Sequence, residues 1–238
     1  MLAFDEVAVW WLATDPIGPA DLRRWIDILD EEERERAGRF WLQSDRREFI
    51  AAHALVRTML TYYGNQPAAA WRFSTDEYGK PEIASYSGHS ELRFNLAHTR
   101  GLVAAAVTSH GRVGIDVEKI DRAKSDFAVA EEFFAPAELG LLRQVPDADW
   151  PIWFFRLWTL KEAYIKAIGT GISTPLQSFA FAFDPIRISF ASSATGQTKD
   201  WHFAIVPTTS QHILSVAVQR PAGGAIRVTP RAIAAHCF

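Results

Sequence analysis

The order of elements that the sequence predicts is typical of an α+β protein built from two similar α/β halves. A long helix at residues 44–63 is followed by an aromatic strand, a loop and an apolar strand at 102–107. The second half repeats this series, with a long helix at 151–168 and an apolar strand at 213–218. Because the series is repeated once, the sequence predicts a boundary near Gly111.

Two domains are therefore expected, residues 1–111 and 112–238, and a cleft between such halves is a preferred place for a ligand. The 238 residues are enough to bury a substantial core. An apolar fraction of 48% and a charged fraction of 22% are ordinary for a globular protein. Nine Trp and sixteen Phe favour an aromatic core, and two internal halves make a monomer sufficient.

The net charge and the cysteine content argue against several classes of protein. A net charge of −3 gives no indication of a nucleic-acid or anionic-membrane partner. The single cysteine, Cys237, excludes a disulfide framework and a cysteine metal site, and it favours a cytoplasmic location. The N-terminus carries Asp5 and Glu6 and no basic region, which is unlike a signal peptide. No apolar run approaches the length of about 20 residues that a membrane span needs.

In the first half, the apolar run at residues 7–12 predicts a strand, and a helix is expected over 21–29. Asp30 with Glu33 three residues later forms a capping-box pattern, which predicts a charged helix to residue 40. Ser44 is the expected cap of the helix at 44–63, whose apolar stripe includes His53, interpreted as a hydrogen-bonded core histidine. Three further strands are predicted, at 71–74, 92–96 and 101–108.

In the second half, a strand is predicted at residues 113–118, followed by two short helices at 126–134 and 136–142. Pro151 suits the first turn of a long helix that ends at Gly169. This helix is apolar nearly all round, which predicts that it is buried. No pattern is evident after Arg220. Strands are expected at 179–183, 201–206 and 213–218, with a Ser/Thr/Gly loop around 192–199.

Three carboxylates are candidates for a metal site. Side chains alternate along a strand, so Asp116 and Glu118 point to one face of the strand at 113–118. Glu162 and Lys166 are four residues apart on the long helix and share a face. Three carboxylate ligands suit Mg²⁺, with Mn²⁺ as an alternative ion, when waters and a phosphate complete the shell. The lysine beside them indicates an anionic ligand.

Other interpretations of these carboxylates stay open at the level of residues alone. A pair such as Asp116 and Glu118 also fits a solvated strand edge. A buried carboxylate without a partner is costly, so Glu162 needs a compensating charge. Either Lys161 or Lys166 supplies that charge, or a bound cation does.

A second group of candidates is cationic. Lys80 lies in a turn before Pro81, and His98 with Thr99 follows a strand end. Each of these residues is individually typical of a protein surface, but together they could form a phosphate-binding rim. Four arginines on or after the charged helix belong to the same group: Arg36, Arg39, Arg46 and Arg47.

Several ordered motifs resemble the 4′-phosphopantetheinyl transferases, and in particular their surfactin-synthetase-activating (Sfp-type) branch. The pair formed by residues 114–118 (GIDVE) and 158–163 (WTLKEA), with the gap between them, is similar to the signature of that superfamily. The similarity extends upstream, and it covers residues 5–220. The upstream motifs are at 54–57 (ALVR), 73–81 (FSTDEYGKP) and 94–99 (FNLAHT).

This resemblance implies two halves related by pseudo-twofold symmetry, with coenzyme A in the cleft between them. Asp116, Glu118 and Glu162 would hold Mg²⁺ against the pyrophosphate of coenzyme A, and Lys166 would contact the same phosphates. The nucleotide would be bordered by Lys80, Pro81, His98 and Thr99, with Arg36 and Arg47 as candidates for contacts to its 3′-phosphate.

The implied reaction is attack by a serine hydroxyl of an apo acyl or peptidyl carrier protein on the β-phosphorus of coenzyme A. The products are a phosphopantetheinylated carrier and adenosine 3′,5′-bisphosphate. A serine hydroxyl needs a base to take its proton, and Glu162 is the candidate. Carriers of peptide, polyketide and fatty-acid synthesis all fit. Residues 127–134, with Phe127, Val129, Phe133 and Phe134, could contact the carrier, although core packing explains them equally well.

Two positions depart from the pattern of this family. Relatives commonly have a basic residue where Glu33 stands and a serine where Ala97 stands, and both positions usually touch the nucleotide. A non-catalytic binder of coenzyme A or a nucleotide with the same fold is the alternative, but such a protein has no need of the base Glu162. A Mg²⁺-dependent phosphohydrolase is a second alternative, and the sequence offers no further acidic or histidine cluster to position its water.

Overall fold

The computed structural model describes residues 2–84, 91–190, 200–220 and 224–237. The loop predicted at residues 192–199 lies outside the described residues. The helices are α1 (Pro19–Ile26), α2 (Glu31–Gly38), α3 (Gln43–Gly64), α4 (Phe127–Phe133), α5 (Pro136–Leu142) and α6 (Trp150–Ile168). The strands are β1 (Glu6–Ala13), β2 (Phe73–Thr75), β3 (Pro81–Ile83), β4 (Arg93–Thr99), β5 (Leu102–Thr108), β6 (Val113–Lys119), β7 (Phe179–Ala182), β8 (Arg187–Phe190), β9 (Trp201–Val206), β10 (His212–Gln219) and β11 (Arg227–Ala232).

The fold is mixed α and β, as expected, and its two larger sheets pack face to face. The first sheet has the strand order β11-β1-β5-β4, and the second has the order β6-β10-β9. An apolar layer lies between the two sheets. The long helix α3 packs on the outer face of the first sheet, and α6 packs on the outer face of the second. Each sheet is therefore covered by one of the two long helices.

Strand β5 shows why the first sheet is buried on both faces. Val103, Ala105 and Val107 belong to the core under α3. The alternate residues Leu102 and Ala104 belong to the layer between the sheets. Because successive side chains point to opposite faces, a continuous run of small apolar residues fills both layers.

The outer face of strand β6 packs directly against helix α6. Val113, Ile115 and Val117 lie in the layer between the sheets, so Gly114 faces α6 together with Asp116 and Glu118. A Cβ atom added at Gly114 would collide with the backbone of α6, at the carbonyl oxygen of Ala163 and the amide nitrogen of Ala167. The glycine therefore permits a close approach of helix and strand.

Most predicted elements are confirmed within a few residues at each end. Asp30 caps α2, since its carboxylate accepts a bond from the Glu33 amide at 3.0 Å, and Glu33 accepts one from the Asp30 amide at 3.0 Å. The cap predicted at Ser44 is wrong, because α3 begins one residue earlier, with Leu42 as its N-cap. The hydroxyl of Ser44 donates instead to the side chain of Asp45.

Three strands were not predicted. Strands β3 and β8 are short partners in the two-stranded hairpins β2–β3 and β7–β8. The lack of a pattern after Arg220 does not prevent Arg227–Ala232 from forming β11, which pairs in parallel with β1. No described helix combines the length and apolar character that a transmembrane span needs.

Candidate active site

The facing sides of β6 and α6 bring the predicted carboxylates together. Asp116 is nearly buried, and its Oδ1 accepts a bond from the Nζ of Lys166 at 2.6 Å. Burial alone would lower the pKa of Lys166, but the charges of Asp116, Glu162 and Glu118 outweigh it and raise that pKa. The lysine therefore stays protonated, in electrostatic reach of all three carboxylates.

The other two carboxylates have perturbed pKa values. Burial, then the charge of Asp116, raises the pKa of Glu118 to about 7. Burial and Asp116 also raise the pKa of Glu162. The hydroxyl of Thr99, at the end of β4, donates to Oε2 of Glu118 at 3.3 Å and so connects the two sheets at this point. Crowded carboxylates with raised pKa values are a common feature of functional sites.

The donor set fits a divalent cation. The second oxygen of Asp116, Oδ2, is buried and has no hydrogen-bond partner among the described residues. A cation would satisfy this oxygen, and it would offset the repulsion from Asp116 that adds to the effect of burial on the pKa values of Glu118 and Glu162. In the described part of the chain, no three His, Cys, Asp or Glu side chains are already arranged to hold a metal ion.

The alternative that Lys161 neutralises Glu162 is excluded. Lys161 points to the opposite side of α6, where its Nζ forms a fully buried ion pair with Glu138 at 2.8 Å. It also donates to the carbonyl oxygens of Leu176 and Phe179, at 2.8 and 2.7 Å. Of the two lysines considered from the sequence, only Lys166 lies with the carboxylates.

A cavity of about 420 Å³ opens beside the first sheet, between α2, α3 and the β2–β3 hairpin. Strand β4 contributes Phe94 and Leu96 to its wall, and the same strand leads to His98 and Thr99 next to the carboxylates. His98 lies within electrostatic reach of both Lys166 in the carboxylate cluster and His53 in the cavity wall. The remaining lining residues are Asp30, Glu32, Glu33, Arg36, Phe49, His53, Val56, Phe73, Ser74, Thr75 and Pro81.

The cationic residues predicted from the sequence lie at different places around the cavity and the carboxylate cluster. Arg36 lines the cavity, with its guanidinium 5.4 Å from the ring centre of Phe49. Arg47 is not among the lining residues, and its Nε is buried without a hydrogen-bond partner among the described residues. His98 is exposed at the end of β4, where desolvation and then the charges of Lys166 and His53 lower its pKa.

Lys80 and Pro81 occupy the turn into β3. The Nζ of Lys80 donates to the carbonyl oxygens of Val113 and Ala167, each at 3.2 Å, and thereby joins the β2–β3 hairpin to β6 and α6. Burial lowers the pKa of Lys80 to about 8. The turn itself is held by Asp76, whose Oδ1 accepts bonds from the amides of Tyr78 and Lys80. Pro81 lines the cavity, whereas Lys80 acts mainly as a support.

Arg57 is an organising residue that the sequence did not identify as functional. It is fully buried, and its guanidinium binds Asp30 at 2.6 Å and Glu33 at 2.7 Å. It also donates to the carbonyl oxygen of Trp71 and packs over the ring of Phe73, 4.9 Å from its centre. The sequence did contain a sign of this role, because an arginine on an apolar helix face needs acidic partners, and Asp30 and Glu33 lie upstream of it.

The segment considered for partner contacts is divided between core and surface. Phe134 is buried in the core under α6. Phe127, Val129 and Phe133 on α4 are only partly buried. The ring of Phe127 packs against Trp150, with a centroid distance of 5.6 Å. Three of the four predicted residues therefore remain accessible to a partner.

Comparison with known proteins gives the class to which this fold and site belong. A family model described as the 4′-phosphopantetheinyl transferase superfamily matches residues 112–217, and one described as the N-terminal part of a 4′-phosphopantetheinyl transferase matches residues 16–110. The chain therefore belongs to the 4′-phosphopantetheinyl transferase superfamily and is an enzyme of this class.

Individual relatives agree with this assignment. The chain is 37% identical to the 4′-phosphopantetheinyl transferase HetI of Nostoc sp. over 186 residues, 77% of each chain. It is 31% identical to the 4′-phosphopantetheinyl transferase Sfp of Bacillus subtilis over 165 residues, 69% of this chain and 71% of the relative. The resemblance to the Sfp-type branch is thus confirmed.

Proposed function

We propose that this protein transfers the 4′-phosphopantetheine group of coenzyme A to a serine of an apo carrier protein, with release of adenosine 3′,5′-bisphosphate. The observation that carries the proposal is the buried, unpartnered Oδ2 of Asp116 beside two carboxylates of raised pKa and the ammonium of Lys166. Such a site suits a cation together with an anionic ligand. A pyrophosphate and its metal ion have that combination of charges.

Asp116, Glu118 and Glu162 would hold Mg²⁺ or Mn²⁺. When bound, the ion would stabilise negative charge on the pyrophosphate and make the leaving group better. Lys166 would contribute positive charge at the same phosphates. Its tie to Asp116 at 2.6 Å keeps the ammonium at the cluster before a ligand arrives.

Glu162 is the proposed general base. Its pKa is raised by burial and by Asp116, which brings it closer to the range in which a carboxylate accepts a proton usefully. The serine oxygen would form a bond to the β-phosphorus while the bond from that phosphorus to the bridging oxygen of the nucleotide breaks. The serine proton would pass to Glu162, directly or through a water. A metal ligand is a weaker base, so these two roles of Glu162 compete.

The nucleotide would occupy the cavity along β4. Pro81 and Arg36 line this cavity, and His98 with Thr99 stand between it and the carboxylates. Lys80 would border the nucleotide through its backbone and fix the turn through its ammonium. Arg47, outside the lining of the cavity, is a weaker candidate for the 3′-phosphate than Arg36.

The proposal extends to the organisation of the molecule. Residues 1–111 and 112–238 would be two halves related by pseudo-twofold symmetry, and a single chain would be the active unit. The cytoplasm would be the compartment, with acyl or peptidyl carrier proteins as partners that contact α4. Each of the two larger sheets is covered by one long helix, which supports this description, and β11 of the second half adds an edge strand to the first sheet.

The test is to incubate the protein with apo carrier proteins, coenzyme A and Mg²⁺ and to measure the carrier mass. A phosphopantetheinyl adduct is expected, and removal of the metal with a chelator should suppress it. If none of several peptidyl, acyl and fatty-acid carriers gains the adduct while coenzyme A still binds, the alternative of a non-catalytic coenzyme A binder is correct.

A further inference from the structure

Glu33 lies at the end of the cavity with both of its carboxylate oxygens engaged. Oε1 contacts Nδ1 of His53 at 2.7 Å. Oε2 accepts bonds from Nε of Arg57 at 2.8 Å and from the amide of Asp30 at 3.0 Å. Burial would raise the pKa of Glu33, but the bonds and charges of His53 and Arg57 prevail and lower it. The carboxylate is therefore ionised at neutral pH.

This arrangement fixes the proton positions on His53. An ionised carboxylate can only accept, so Nδ1 of His53 is the donor of the bond to Glu33. The second ring nitrogen, Nε2, forms no hydrogen bond with any of the described residues. His53 lines the cavity, its side chain is 20% exposed, and its ring packs on Phe49 with centroids 4.1 Å apart. The free nitrogen is therefore available to a ligand.

The groups around His53 carry charges of both signs. In the Asp30–Arg57–Glu33 network, two carboxylates face one guanidinium, which leaves one negative charge next to His53. Arg36 and His98 are the other basic groups near His53. The charged and titratable groups that face His53 are Asp30, Glu32, Glu33 and Arg36 at α2, Arg57 on α3 and His98 on β4.

We propose that His53, in its protonated form, binds the 3′-phosphate of coenzyme A through Nε2, and that Glu33 is its positioning residue. The inference rests on the proposed function. Coenzyme A carries two anionic groups, and the carboxylate cluster with Lys166 accounts for the pyrophosphate. The 3′-phosphate then needs a second set of donors, and the cavity offers His53, Arg36 and the nearby His98.

This network explains how an acidic residue, Glu33, can lie beside a phosphate-binding site. A free carboxylate in the cavity would repel a phosphate, but both oxygens of Glu33 face other protein groups. Its two carboxylate oxygens contact His53 and Arg57 and do not point freely into the cavity. The positive charge for a phosphate at this end of the cavity would therefore come from His53 and Arg36 and not from position 33.

The test compares the affinities of coenzyme A and 3′-dephospho-coenzyme A by calorimetry. The wild-type protein should prefer coenzyme A at about pH 6.5, where the phosphate monoester is mostly dianionic, and this preference should fall about tenfold by about pH 8.5. His53→Gln should lose about tenfold in affinity for coenzyme A at the lower pH and show no such pH dependence. Its affinity for 3′-dephospho-coenzyme A should be unchanged. His202→Gln, on β9, is the matched control and should behave as the wild type.

A second measurement needs no variant. In NMR spectra of the isotope-labelled wild-type protein at about pH 7.5, the protonated fraction of His53 should rise on addition of coenzyme A but not of 3′-dephospho-coenzyme A. Glu33→Gln should weaken this response, because the ring then loses the carboxylate that orients it. If coenzyme A binds while His53 shows neither response and His53→Gln keeps the wild-type preference, the inference is overturned and the proposed function stands. If the wild-type protein binds neither nucleotide, both are overturned.

Discussion

The close contact between β6 and α6 predicts that Gly114→Ala destabilises the protein and disturbs its active site. The added Cβ would overlap the carbonyl oxygen of Ala163 and the amide nitrogen of Ala167, and it would lie 2.9 Å from the Cα of Ala167. These are backbone atoms, so no side-chain rotation relieves the overlap and the helix must move. Overpacking of this kind costs about 1–3 kcal/mol, and a rigid backbone neighbour favours the upper end.

A loss of about 3 kcal/mol corresponds to a fall in Tm of about 6–12 °C for a chain of this size. Thermal and urea unfolding of the wild-type protein and Gly114→Ala measure it. The control is Gly140→Ala in α5, where an added Cβ meets no atom within 4 Å and alanine should stabilise the helix by about 0.5–1 kcal/mol. If Gly114→Ala unfolds at the wild-type temperature, the helix does not lie on the strand as described.

Three further predictions concern buried charges. Lys161→Met leaves the carboxylate of Glu138 buried without its cation and should cost about 3–5 kcal/mol in urea unfolding. The double variant with Glu138→Gln should recover part of that loss, because no buried charge then stays unpaired. A wild-type stability of the single variant would exclude this pair as a structural element. Arg57→Met should cost a similar amount, because Asp30 and Glu33 lose their shared cation; intact stability would contradict the network. Burial lowers the pKa of Lys80 to about 8, so the native state releases this proton before the unfolded state does. The free energy of unfolding of the wild type, relative to that of Lys80→Met, should therefore rise between about pH 8 and pH 10.5. If the two free energies change with pH in parallel, the ammonium of Lys80 is not buried as described.

The sequence was sufficient for the local geometry of the site. The alternation along β6 places Asp116 and Glu118 on one face, and the spacing of Glu162 and Lys166 places them on one face of α6. Both inferences need only the period of a strand or helix. That the two faces meet required Gly114 as well, and its closeness to α6 is visible only in three dimensions.

Other features depend on pairings between distant segments. Lys161 is adjacent to Glu162 in sequence but pairs with Glu138 on another helix, so the helical period alone left its role open. Strand β11 is mostly exposed, so it lacks the alternation of apolar and polar residues that identifies a strand. It also contains Pro230, and proline argues against a strand. It forms because its backbone pairs in parallel with β1, which lies more than two hundred residues earlier in the chain.

His53 shows how the environment changes an interpretation. Its place on an apolar helix stripe suggested a core histidine, and the bond to Glu33 agrees with that. Exposure to the cavity, however, depends on where α2 and the β2–β3 hairpin end, and neither boundary follows from the pattern of α3. The chemistry of Glu33 was likewise hidden, because its two partners come from a different helix.

The central claim is that the carboxylates between β6 and α6 carry out the transfer, with Glu162 as the base. The most direct measurement is the mass of an apo carrier protein after incubation with coenzyme A, Mg²⁺ and either the wild-type protein, Glu162→Gln or the exposed control Glu35→Gln. The wild type and Glu35→Gln should modify the carrier, and Glu162→Gln should not, although calorimetry should still show that it binds coenzyme A. Transfer by Glu162→Gln at the wild-type rate would contradict the claim.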